Sequence, residues 1–507
     1  MKIIVLQILV ITLIGLTGSL SYGQRKSPFF EDRVTFDTFP QESLDILNSE
    51  LDAGETLKLT DYLDNPKLGK RLSCVDIGIP FGSCSQLDDE NSQSSSSSTP
   101  FTYSGFFTVN QTYDINLFYW FFEAQNGNKD APILIFFQGG PGASSLFSLF
   151  VETGPYRILS NLTMVPANVT WNSEFHMMYI DNPVGTGFSY TTSDDGYSNN
   201  EVEIAQNLYN LLTQFYQIYP EFSDNDLYLT GESYAGKYVP ALAYYIYEQN
   251  QLKNTFINLV GVAIGDGLVD PATQVTQYAN LCYYTGLCDL VQQDTMLMYQ
   301  EKIIFNIQEQ NWMEANNLFT DLINGPPDYF QNITGNPNYY DIRRSVEPSY
   351  GGNYVAFVNS SAIRQLIHVG NNYFQNNNNV YLHLQEDIPK SVIQYVPTLI
   401  ENYKVLFYNG QFDFIVGVSL TETMIRTIQW SGIQPFILTN RIIWKIPSDN
   451  IDVAGYVRQY QNLTQIVVRD AGHIAPFDQP ERCLDMITRF VNNLPYPTGS
   501  SSSSSSN

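Results

Sequence analysis

Three residues that could form a catalytic triad each follow a short apolar segment of this 507-residue chain. They are Ser233, Asp413 and His473. A serine nucleophile needs a base that accepts its proton, and the base needs an acid that orients it. The three side chains therefore predict acyl transfer through Ser233, with His473 as the base and Asp413 as the acid. The other histidines are interpreted as structural or surface residues: His176, His368 and His383.

Ser233 stands in a sequence that is typical of a sharp turn between a strand and a helix. Gly231 lies two positions before it, and Ala235 lies two positions after it, where the G-x-S-x-G pattern has a second glycine. A serine on such a turn is held in a strained conformation that projects its hydroxyl group from the sheet, so its neighbours must be small. The order Ser, Asp, His along the chain is the order expected for an α/β-hydrolase.

A glycine-rich segment after another apolar run could supply the oxyanion hole. Residues 138–142 read Gln-Gly-Gly-Pro-Gly. Acyl transfer needs backbone N–H groups that point at the developing oxyanion, and glycine lets a backbone approach that closely. We expect the N–H groups of Gly140 and of Tyr234, the residue after the nucleophile, to form the hole.

Five segments of the chain resemble signature blocks of the serine carboxypeptidases (peptidase family S10), in the order of that family. They are residues 139–145, 181–189, 231–236, 409–413 and 472–480. The resemblance covers roughly residues 100–495, and residues 329–335, 367–370 and 444–446 are similar to the vitellogenic carboxypeptidase-like subgroup. The resemblance implies an α/β-hydrolase fold and the release of single residues from peptide C-termini, through an acyl-enzyme on Ser233 and generally at acidic pH.

The resemblance also implies a site for the terminal carboxylate of the substrate. The matching positions are Gln138, Gly139, Glu152 and Glu232. Gln138 departs from the Asn that is commoner in the family; it can still donate to a carboxylate but reaches one methylene further. Two carboxyl groups that face a third cannot all be ionised, so at least one glutamate must be protonated to donate a hydrogen bond. Peptide binding should therefore weaken as the pH rises, and esters without a free carboxylate should be affected less.

The elements that position these residues are predicted from unbroken apolar runs. The runs lie at residues 133–137, 177–180, 227–230, 259–264, 405–408 and 466–468. Apolar runs without alternation indicate strands that are buried on both faces. Helix-compatible segments such as residues 200–219 and 240–251 separate them, which predicts an α/β fold with a mostly parallel sheet and flanking helices. Ligands of such sheets bind at the carboxyl ends of the strands, where the triad residues stand.

The chain is predicted to contain one catalytic core with additions. Residues 101–270 and 351–495 form the α/β-hydrolase core, and the alternation breaks at 271–350, which is interpreted as a helical insertion, or lid. Residues 1–23 read as a removed signal peptide, because their apolar run is too short to span a bilayer. Residues 24–100 are a polar leader with a serine-rich linker, either a cleavable pro-segment or an N-terminal arm. Residues 496–507 are a disordered serine-rich tail.

A secretory route, to the outside of the cell or to a lysosome-like or vacuolar compartment, agrees with further motifs. The N-glycosylation acceptors of the chain are Asn110, Asn161, Asn168, Asn332, Asn359 and Asn462. In an oxidising compartment the cysteines that are close in sequence are the first candidates for disulfides, Cys74 with Cys84 and Cys282 with Cys288. Cys483 is expected to be a buried free thiol.

The charge balance narrows the classes of partner. The chain has 51 acidic and 25 basic residues, a net charge of −26 at pH 7, and 43% hydrophobic residues. This acidic excess argues against nucleic acid and anionic membrane surfaces, which need clustered positive charge. The expected partner is the C-terminus of a peptide or protein, stable membrane insertion is not expected, and a homodimer is left open. No cofactor is predicted, and no Cys/His cluster has the spacing of a metal site.

Two other functions are compatible with the same triad. An acyltransferase on the same fold would pass the acyl group to an alcohol or amine, but retention of Glu152 and Glu232 favours a peptidase. A catalytically silent binding protein would lack a member of the triad, and none is missing. Ile474 beside the predicted base, with its aromatic surroundings, favours an apolar departing residue.

Overall fold

The computed structural model describes residues 53–78, 80–88, 99–325, 327–350, 352–375, 378–446 and 452–498. The predicted signal peptide, the first part of the polar leader, the serine-rich linker and the tail beyond residue 498 lie outside these ranges. No helix within the described ranges is long and apolar enough to cross a membrane.

The described residues contain twelve strands. They are β1 (Thr102–Asn110), β2 (Ile115–Phe122), β3 (Ile133–Phe137), β4 (Tyr156–Ile158), β5 (Met164–Pro166), β6 (His176–Ile180), β7 (Leu227–Glu232), β8 (Leu259–Gly265), β9 (Lys404–Gly410), β10 (Ile442–Trp444), β11 (Gly455–Tyr460) and β12 (Leu463–Val468). Ten of them form one sheet in the order β1-β2-β6-β3-β7-β8-β9-β12-β11-β10. The six central strands, from β6 to β12 in that order, run parallel, and the two strands at each edge pair antiparallel.

Helices connect these strands. The helices are α1 (Pro66–Ser73), α2 (Ser145–Phe147), α3 (Glu201–Ile218), α4 (Ala235–Gln251), α5 (Pro271–Gln274), α6 (Tyr278–Tyr284), α7 (Leu290–Gln308), α8 (Trp312–Phe319), α9 (Tyr329–Thr334), α10 (Asn353–Asn359), α11 (Ser361–Leu366), α12 (Asn378–Leu384), α13 (Val396–Asn402), α14 (Val418–Thr427), α15 (Ile433–Leu438), α16 (Ala475–Asp478) and α17 (Pro480–Asn492). Helices α5 to α9 lie between β8 and β9 in the chain, within the segment that the sequence analysis assigned to a helical insertion.

Apolar side chains cover both faces of the sheet. In β3, Ile133, Ile135 and Phe137 belong to one core cluster and Leu134 and Phe136 to the other. Alternate residues of a strand point to opposite faces, so an unbroken apolar run is what a strand buried on both sides requires. The predicted α/β-hydrolase fold with a mostly parallel sheet is confirmed.

Several predicted boundaries are confirmed, and others move. Helix α3 follows Asn200, whose side chain accepts from the N–H groups of Val202 and Glu203 and so caps the helix. Helix α4 begins at Ala235, five residues before the helix-compatible segment 240–251. Helix α11 ends at Leu366, shortly before His368, which adopts a left-handed conformation with φ +64°.

Part of the segment interpreted as a polar leader packs on the sheet. The N–H group of Phe106 in β1 donates to the Leu57 carbonyl at 3.0 Å, and Leu59 is fully buried. A disulfide joins Cys74 to Cys84, as predicted. At the other end, Tyr496 lies within the predicted tail but is 6% exposed and packs against Trp444.

Of the two other predictions about cysteines, one is confirmed and one is wrong. Cys483 is a buried free thiol, as expected. The proposed pair Cys282 and Cys288 is not bonded in the structure, where both are buried free thiols in side-chain hydrogen-bond contact. Cys282 and Cys288 are therefore neighbours in space, as their closeness in sequence suggests, but no disulfide joins them.

Candidate active site

Ser233 lies on the turn between β7 and α4, as the sequence predicted. Its φ angle is +62°, in the left-handed region that residues with a side chain rarely adopt. Two hydrogen bonds hold the turn: the Ser233 N–H group donates to the Gly265 carbonyl at 3.0 Å, and the Ser233 carbonyl accepts from the Leu268 N–H group at 3.0 Å. This is the strained strand–turn–helix geometry that presents a nucleophilic serine above a sheet.

His473 and Asp413 form a hydrogen-bonded pair. Nδ1 of His473 lies 2.9 Å from Oδ2 of Asp413, and both side chains are almost completely buried. The same carboxylate oxygen accepts from the Val416 N–H group at 3.1 Å. Nε2 of His473 is buried without a hydrogen-bond partner among the described residues. The acid therefore orients the ring, and the second ring nitrogen is available to a serine hydroxyl group.

The sheet places Ser233, Asp413 and His473 at one edge. They follow β7, β9 and β12, and these strands run parallel within the group of neighbours β7, β8, β9 and β12. The loops that carry the acid and the base are joined by a hydrogen bond from the Phe412 N–H group to the Ala471 carbonyl at 2.8 Å. They touch so closely at Gly410 that a Cβ atom there would lie 1.8 Å from the Gly472 carbonyl oxygen. Glycine at position 410 is what permits this approach.

The glycine-rich loop after β3 lies directly against the serine turn. A Cβ atom on Gly139 would lie 2.6 Å from both the Ser233 Cβ and the Tyr234 nitrogen. Gly140 follows with φ +113°, which a larger residue would adopt only with strain. Among the described residues, the N–H groups of Gly140 and Tyr234 have no hydrogen-bond acceptor. Both predicted oxyanion donors therefore stand unused beside Ser233.

A buried polar cluster lies next to this loop and holds all four residues predicted to bind a carboxylate. Nε2 of Gln138 lies 2.9 Å from Oε1 of Glu152, 3.2 Å from Oε1 of Glu232 and 3.2 Å from the Ser148 hydroxyl oxygen. The N–H group of Gly139 donates to Oε1 of Gln138 at 2.8 Å. Glu232 is the last residue of β7 and Glu152 ends a π-helical turn, so two separate elements place the carboxyl groups together.

The two glutamates favour their neutral forms. Burial raises the pKa of Glu152 to about 7, against a smaller lowering effect of its hydrogen bonds to Glu232 and Ser148. Burial also raises the pKa of Glu232 well above its usual range, and the neighbouring Glu152 adds to the rise. One oxygen of each carboxyl group is buried without a partner among the described residues. Protonated, these groups would present hydrogen-bond donors to an incoming anion.

Asp266 directly follows β8, is buried, and was not among the predicted site residues. Its carboxyl group accepts from the Gly410 N–H group at 3.0 Å and lies beside Asp413. One oxygen of each of these acids and a ring nitrogen of His473 lie within 4.8 Å of one another, the one such group of potential metal ligands among the described residues. The position of Asp266 at the end of a neighbouring strand was the signal that could have identified it.

A second overlooked group lies behind Tyr234. The Tyr234 hydroxyl group donates to Oδ2 of Asp387 at 3.1 Å, and Nζ of Lys237 lies 2.6 Å from the same oxygen. Glu201 is buried nearby, and burial raises its pKa well above the usual range. Lys237 is completely buried. This network fixes the start of α4 and the position of Tyr234, whose N–H group is one of the two predicted oxyanion donors.

The remaining histidines take no part in the site. His176 in β6 bonds through Nδ1 to the Ala124 N–H group at 2.9 Å, and His368 lies 3.2 Å from Ser104. Burial lowers the pKa of both His176 and His368 to about 4. His383 lies on α12, where Nδ1 is 3.0 Å from Oδ1 of Asn199. The structural interpretation of these three residues agrees with their contacts.

The predicted glycosylation acceptors are all at least partly exposed. Four are exposed, namely Asn161, Asn168, Asn332 and Asn462. Asn110 and Asn359 are half-buried. Asn462 donates through Nδ2 to the Ile400 carbonyl at 2.9 Å, so a glycan there would replace that bond.

Comparisons with known proteins agree on one family. The sequence profile described as serine carboxypeptidase matches residues 92–493. The chain is 61% identical over 492 residues to a probable serine carboxypeptidase, CPVL, of Dictyostelium discoideum, covering 97% of this chain and 98% of that protein. It is 36% identical over 449 residues to the vitellogenic carboxypeptidase of Aedes aegypti, covering 87% and 91%. The fold is similar to that of Kex1, a prohormone-processing carboxypeptidase from Saccharomyces cerevisiae, with a TM-score of 0.70, 23% identity and coverage of 84% and 96%.

Proposed function

The chain belongs to the serine carboxypeptidase family, and we propose that it releases single amino acids from the C-termini of peptides through an acyl-enzyme on Ser233. One observation carries this proposal. The strained serine turn, with its acid–base pair, directly adjoins a buried cluster of carboxyl and amide groups, because Glu232 and Ser233 are consecutive residues. A nucleophile and a carboxylate site at that separation fit a substrate cut one residue from its end.

The catalytic steps follow from the positions of the named groups. Oγ of Ser233 bonds to the scissile carbonyl carbon while Nε2 of His473 takes its proton. The N–H groups of Gly140 and Tyr234 stabilise the oxyanion. His473 passes the proton to the departing amine as the C–N bond breaks. It then takes a proton from water, which adds to the acyl carbon, and the serine oxygen leaves with its proton restored.

Recognition of the C-terminal residue falls to the polar cluster. Protonated Glu152 and Glu232 donate hydrogen bonds to the substrate carboxylate, and Gln138 lies between them with its amide group in contact with both. The Gly139 N–H group completes the set of donors when it turns from Gln138 to the substrate. A charge-assisted hydrogen bond of this kind is stronger than a neutral one. A peptide amide lacks the carboxylate and should bind poorly.

This arrangement favours acidic pH. The pKa of Glu152 is raised to about 7 by burial, so its neutral form is lost as the pH rises through that value. Above it, a second negative charge faces the substrate carboxylate, and repulsion replaces a hydrogen bond. The pair of carboxyl groups therefore suits an enzyme of an acidic compartment.

The proposal is tested by trapping the nucleophile. A serine-reactive phosphonate should label Ser233 alone, and mass spectrometry of the digested protein identifies the labelled residue. Blocked dipeptides with a free carboxylate should be cut in preference to their amides. Hydrolysis should also exceed transfer to added alcohols or amino acid amides, which separates a peptidase from an acyltransferase. Labelling at another residue, or a preference for the amide, would refute the proposal.

The proposal extends to the substrate of the protein and to its path through the cell. The substrate is a peptide or protein C-terminus, and the protein follows the secretory pathway to a lysosome-like compartment or out of the cell. Support comes from the predicted signal peptide, the Cys74–Cys84 disulfide and the exposed glycosylation acceptors. Disulfides persist in oxidising compartments. Treatment of the protein with a glycosidase tests this route. A loss of mass would show that the protein carried N-glycans and had passed through the secretory pathway.

A homodimer is the form of self-association that we propose. Exposed apolar side chains recur every seven residues on α7, at Val291, Met298 and Phe305. Their exposures of 75%, 54% and 59% are high for such residues. Seven-residue spacing places them on one side of the helix, where the same helix of a second copy can pack. Sedimentation analysis of the protein measures the association.

A further inference from the structure

Asp266 is a buried acid that the proposed mechanism does not use. It follows β8 with φ +43° and is fully buried. Its N–H group donates to the Tyr408 carbonyl at 2.8 Å, which continues the pairing of β8 with β9 past the last residue of the strand. The backbone therefore fixes the Asp266 carboxyl group beside the loop that carries Asp413.

The contacts of Asp413 leave one oxygen for Asp266. Oδ2 of Asp413 accepts from His473 at 2.9 Å and from the Val416 N–H group at 3.1 Å. Oδ1 is buried and accepts from no other donor among the described residues. One oxygen of the Asp266 carboxyl group lies within 4.8 Å of an oxygen of Asp413. A buried carboxyl group therefore stands beside a carboxylate that has one unpartnered oxygen.

Two buried carboxyl groups in contact cannot both be ionised, so the pair must hold a proton. Asp413 accepts hydrogen bonds from His473 and from the Val416 N–H group. Asp266 receives the Gly410 N–H group at 3.0 Å and the amide of Asn409 at 3.3 Å. Burial and the neighbouring Asp413 raise the pKa of Asp266 well above its usual range. Because the proposed mechanism needs Asp413 as the ionised partner of His473, we place the proton on Asp266.

We propose that Asp266 is a positioning residue, a neutral acid whose O–H group donates to Oδ1 of Asp413 and so holds that carboxylate in line with His473. This inference rests on the proposed role of Asp413 and His473. The neutral acid fixes the plane of the carboxylate without adding a charge beside it. If Asp266 ionised, a second negative charge would push Asp413 away and the donor to Oδ1 would be lost.

The groups around Asp266 set the direction of its pH dependence. The titratable groups that face it are Asp413, His473, Glu232, Tyr408 and Cys483. Four of these groups become negative when they ionise, and only His473 becomes positive. Asp413 and His473 are the pair that Asp266 supports. A raised pKa of an acid means that its hydrogen bond is present at low pH and lost as the pH rises through the pKa. Ionisation of Asp266 therefore contributes to the loss of turnover at high pH.

The test uses an ester substrate with no free carboxylate, so that Glu152 and Glu232 do not dominate its pH dependence. Asp266→Asn keeps a neutral donor at every pH, and Asp266→Ala removes it. We expect the Asn variant to retain kcat within about threefold at acidic pH and to extend its plateau to higher pH than the unmodified protein. The Ala variant should lose kcat by about tenfold or more, with little change in KM.

Asp181→Asn is the matched control. Asp181 is also a buried acid at a strand end, with its pKa raised by burial to about 7, but it bonds to Ser144 and the Phe188 N–H group. Its pH profile for the ester should match that of the unmodified protein. Thermal unfolding of each variant identifies any that fails to fold, and the Asn variant of Asp266 keeps the shape of the site.

Two results would overturn the inference. One is equal kcat and an unchanged pH profile in both folded variants of Asp266. The other is a folded Asn variant that is as inactive as the Ala variant, because a neutral donor would then not restore the function. Activity that survives Ser233→Ala would instead refute the proposed function, so the two failures are distinguishable.

Discussion

Burial raises the pKa of Glu152 to about 7, so the proposed binding of a C-terminal carboxylate by this residue should depend on pH. Below that value the neutral acid should donate to the substrate, and above it the carboxylate should repel the substrate. We predict that the KM for a blocked dipeptide rises as the pH passes through about 7, while the KM for the matching ester changes less. Steady-state kinetics across the pH range measures both.

Glu152→Gln provides the control for this effect, because an amide keeps a donor and does not ionise. Its KM for the dipeptide should vary less with pH than that of the unmodified protein. The hydrogen bonds of Gln138 to Glu232 and Ser148 remain available in this variant. A KM that rises as steeply in the variant as in the unmodified protein would show that another group causes the dependence.

Gly139 is the residue whose size the serine turn tolerates least. A Cβ atom there would lie 2.6 Å from both the Ser233 Cβ and the Tyr234 nitrogen. We predict that Gly139→Ala displaces the oxyanion donors and lowers kcat by about a hundredfold or more. The loss should be similar for peptide and ester, because the oxyanion forms in both reactions. Retained ester turnover with lost peptide turnover would place Gly139 in carboxylate recognition alone.

At the residue scale, the sequence was enough to predict a candidate site residue where a single reactive side chain follows an apolar run. Ser233, Asp413 and His473 each follow an apolar run, and the structure places all three at the same end of the sheet. Asp266 also follows such a run and was not recognised. Its role depends on β8 lying beside β9, which are separated by a long segment of chain. Spatial order of strands cannot be read from their order in sequence.

Lys237 joins helix α4 to the segment after α12 through a buried ion pair with Asp387. Nζ of Lys237 lies 2.6 Å from Oδ2 of Asp387, and both side chains are almost inaccessible. We predict that Lys237→Met lowers the free energy of unfolding by about 3–5 kcal/mol, because Asp387 and Glu201 would be left buried without a cation. Chemical denaturation measures the change.

A surface ion pair supplies the comparison. Lys70 pairs with Glu221, and both side chains are partly exposed, at 28% and 40%. Lys70→Met should change the free energy of unfolding by less than about 1 kcal/mol, because water screens the pair and replaces its contacts. Equal losses in the two variants would show that burial does not set the strength of the Lys237 pair.

At the element scale, strand type was predictable where burial on both faces left an unbroken apolar run. The core strands β3, β6, β7, β8, β9 and β12 were all anticipated. The antiparallel edge strands β1, β2, β10 and β11 were not, although β2 is buried along its whole length. Helix α11 ends at Leu366, because the left-handed conformation of His368 cannot continue a helix.

The acidic excess of the whole molecule has a different meaning from its acidic site. The net charge of −26 would first suggest a basic substrate. The site instead holds two buried carboxyl groups, Glu152 and Glu232, whose pKa values are raised by burial and which we propose bind an anion. The remaining carboxylates repel one another less as they protonate, so an acidic compartment also suits the surface. Composition therefore bears on the acidic environment that we propose for the protein, and not on its substrate.

The segments at the two ends of the core show how far domain boundaries can be read from composition. Residues 57 to 75 are polar in sequence, yet Leu59 and Val75 are fully buried against the core. A polar segment can therefore pack stably beside an edge strand when only a few of its residues are apolar. The disulfide between Cys74 and Cys84 adds a covalent constraint that composition alone does not reveal.

The most direct measurement is the release of a free C-terminal amino acid from a blocked dipeptide by the purified protein and by Ser233→Ala. The assay is run at mildly acidic pH, where the neutral carboxyl pair favours binding. We predict steady release by the unmodified protein and a loss of at least about 10⁴-fold in kcat for the variant, with its fold intact. Release at an unchanged rate by the folded variant would contradict the assignment of Ser233 as the nucleophile of a serine carboxypeptidase.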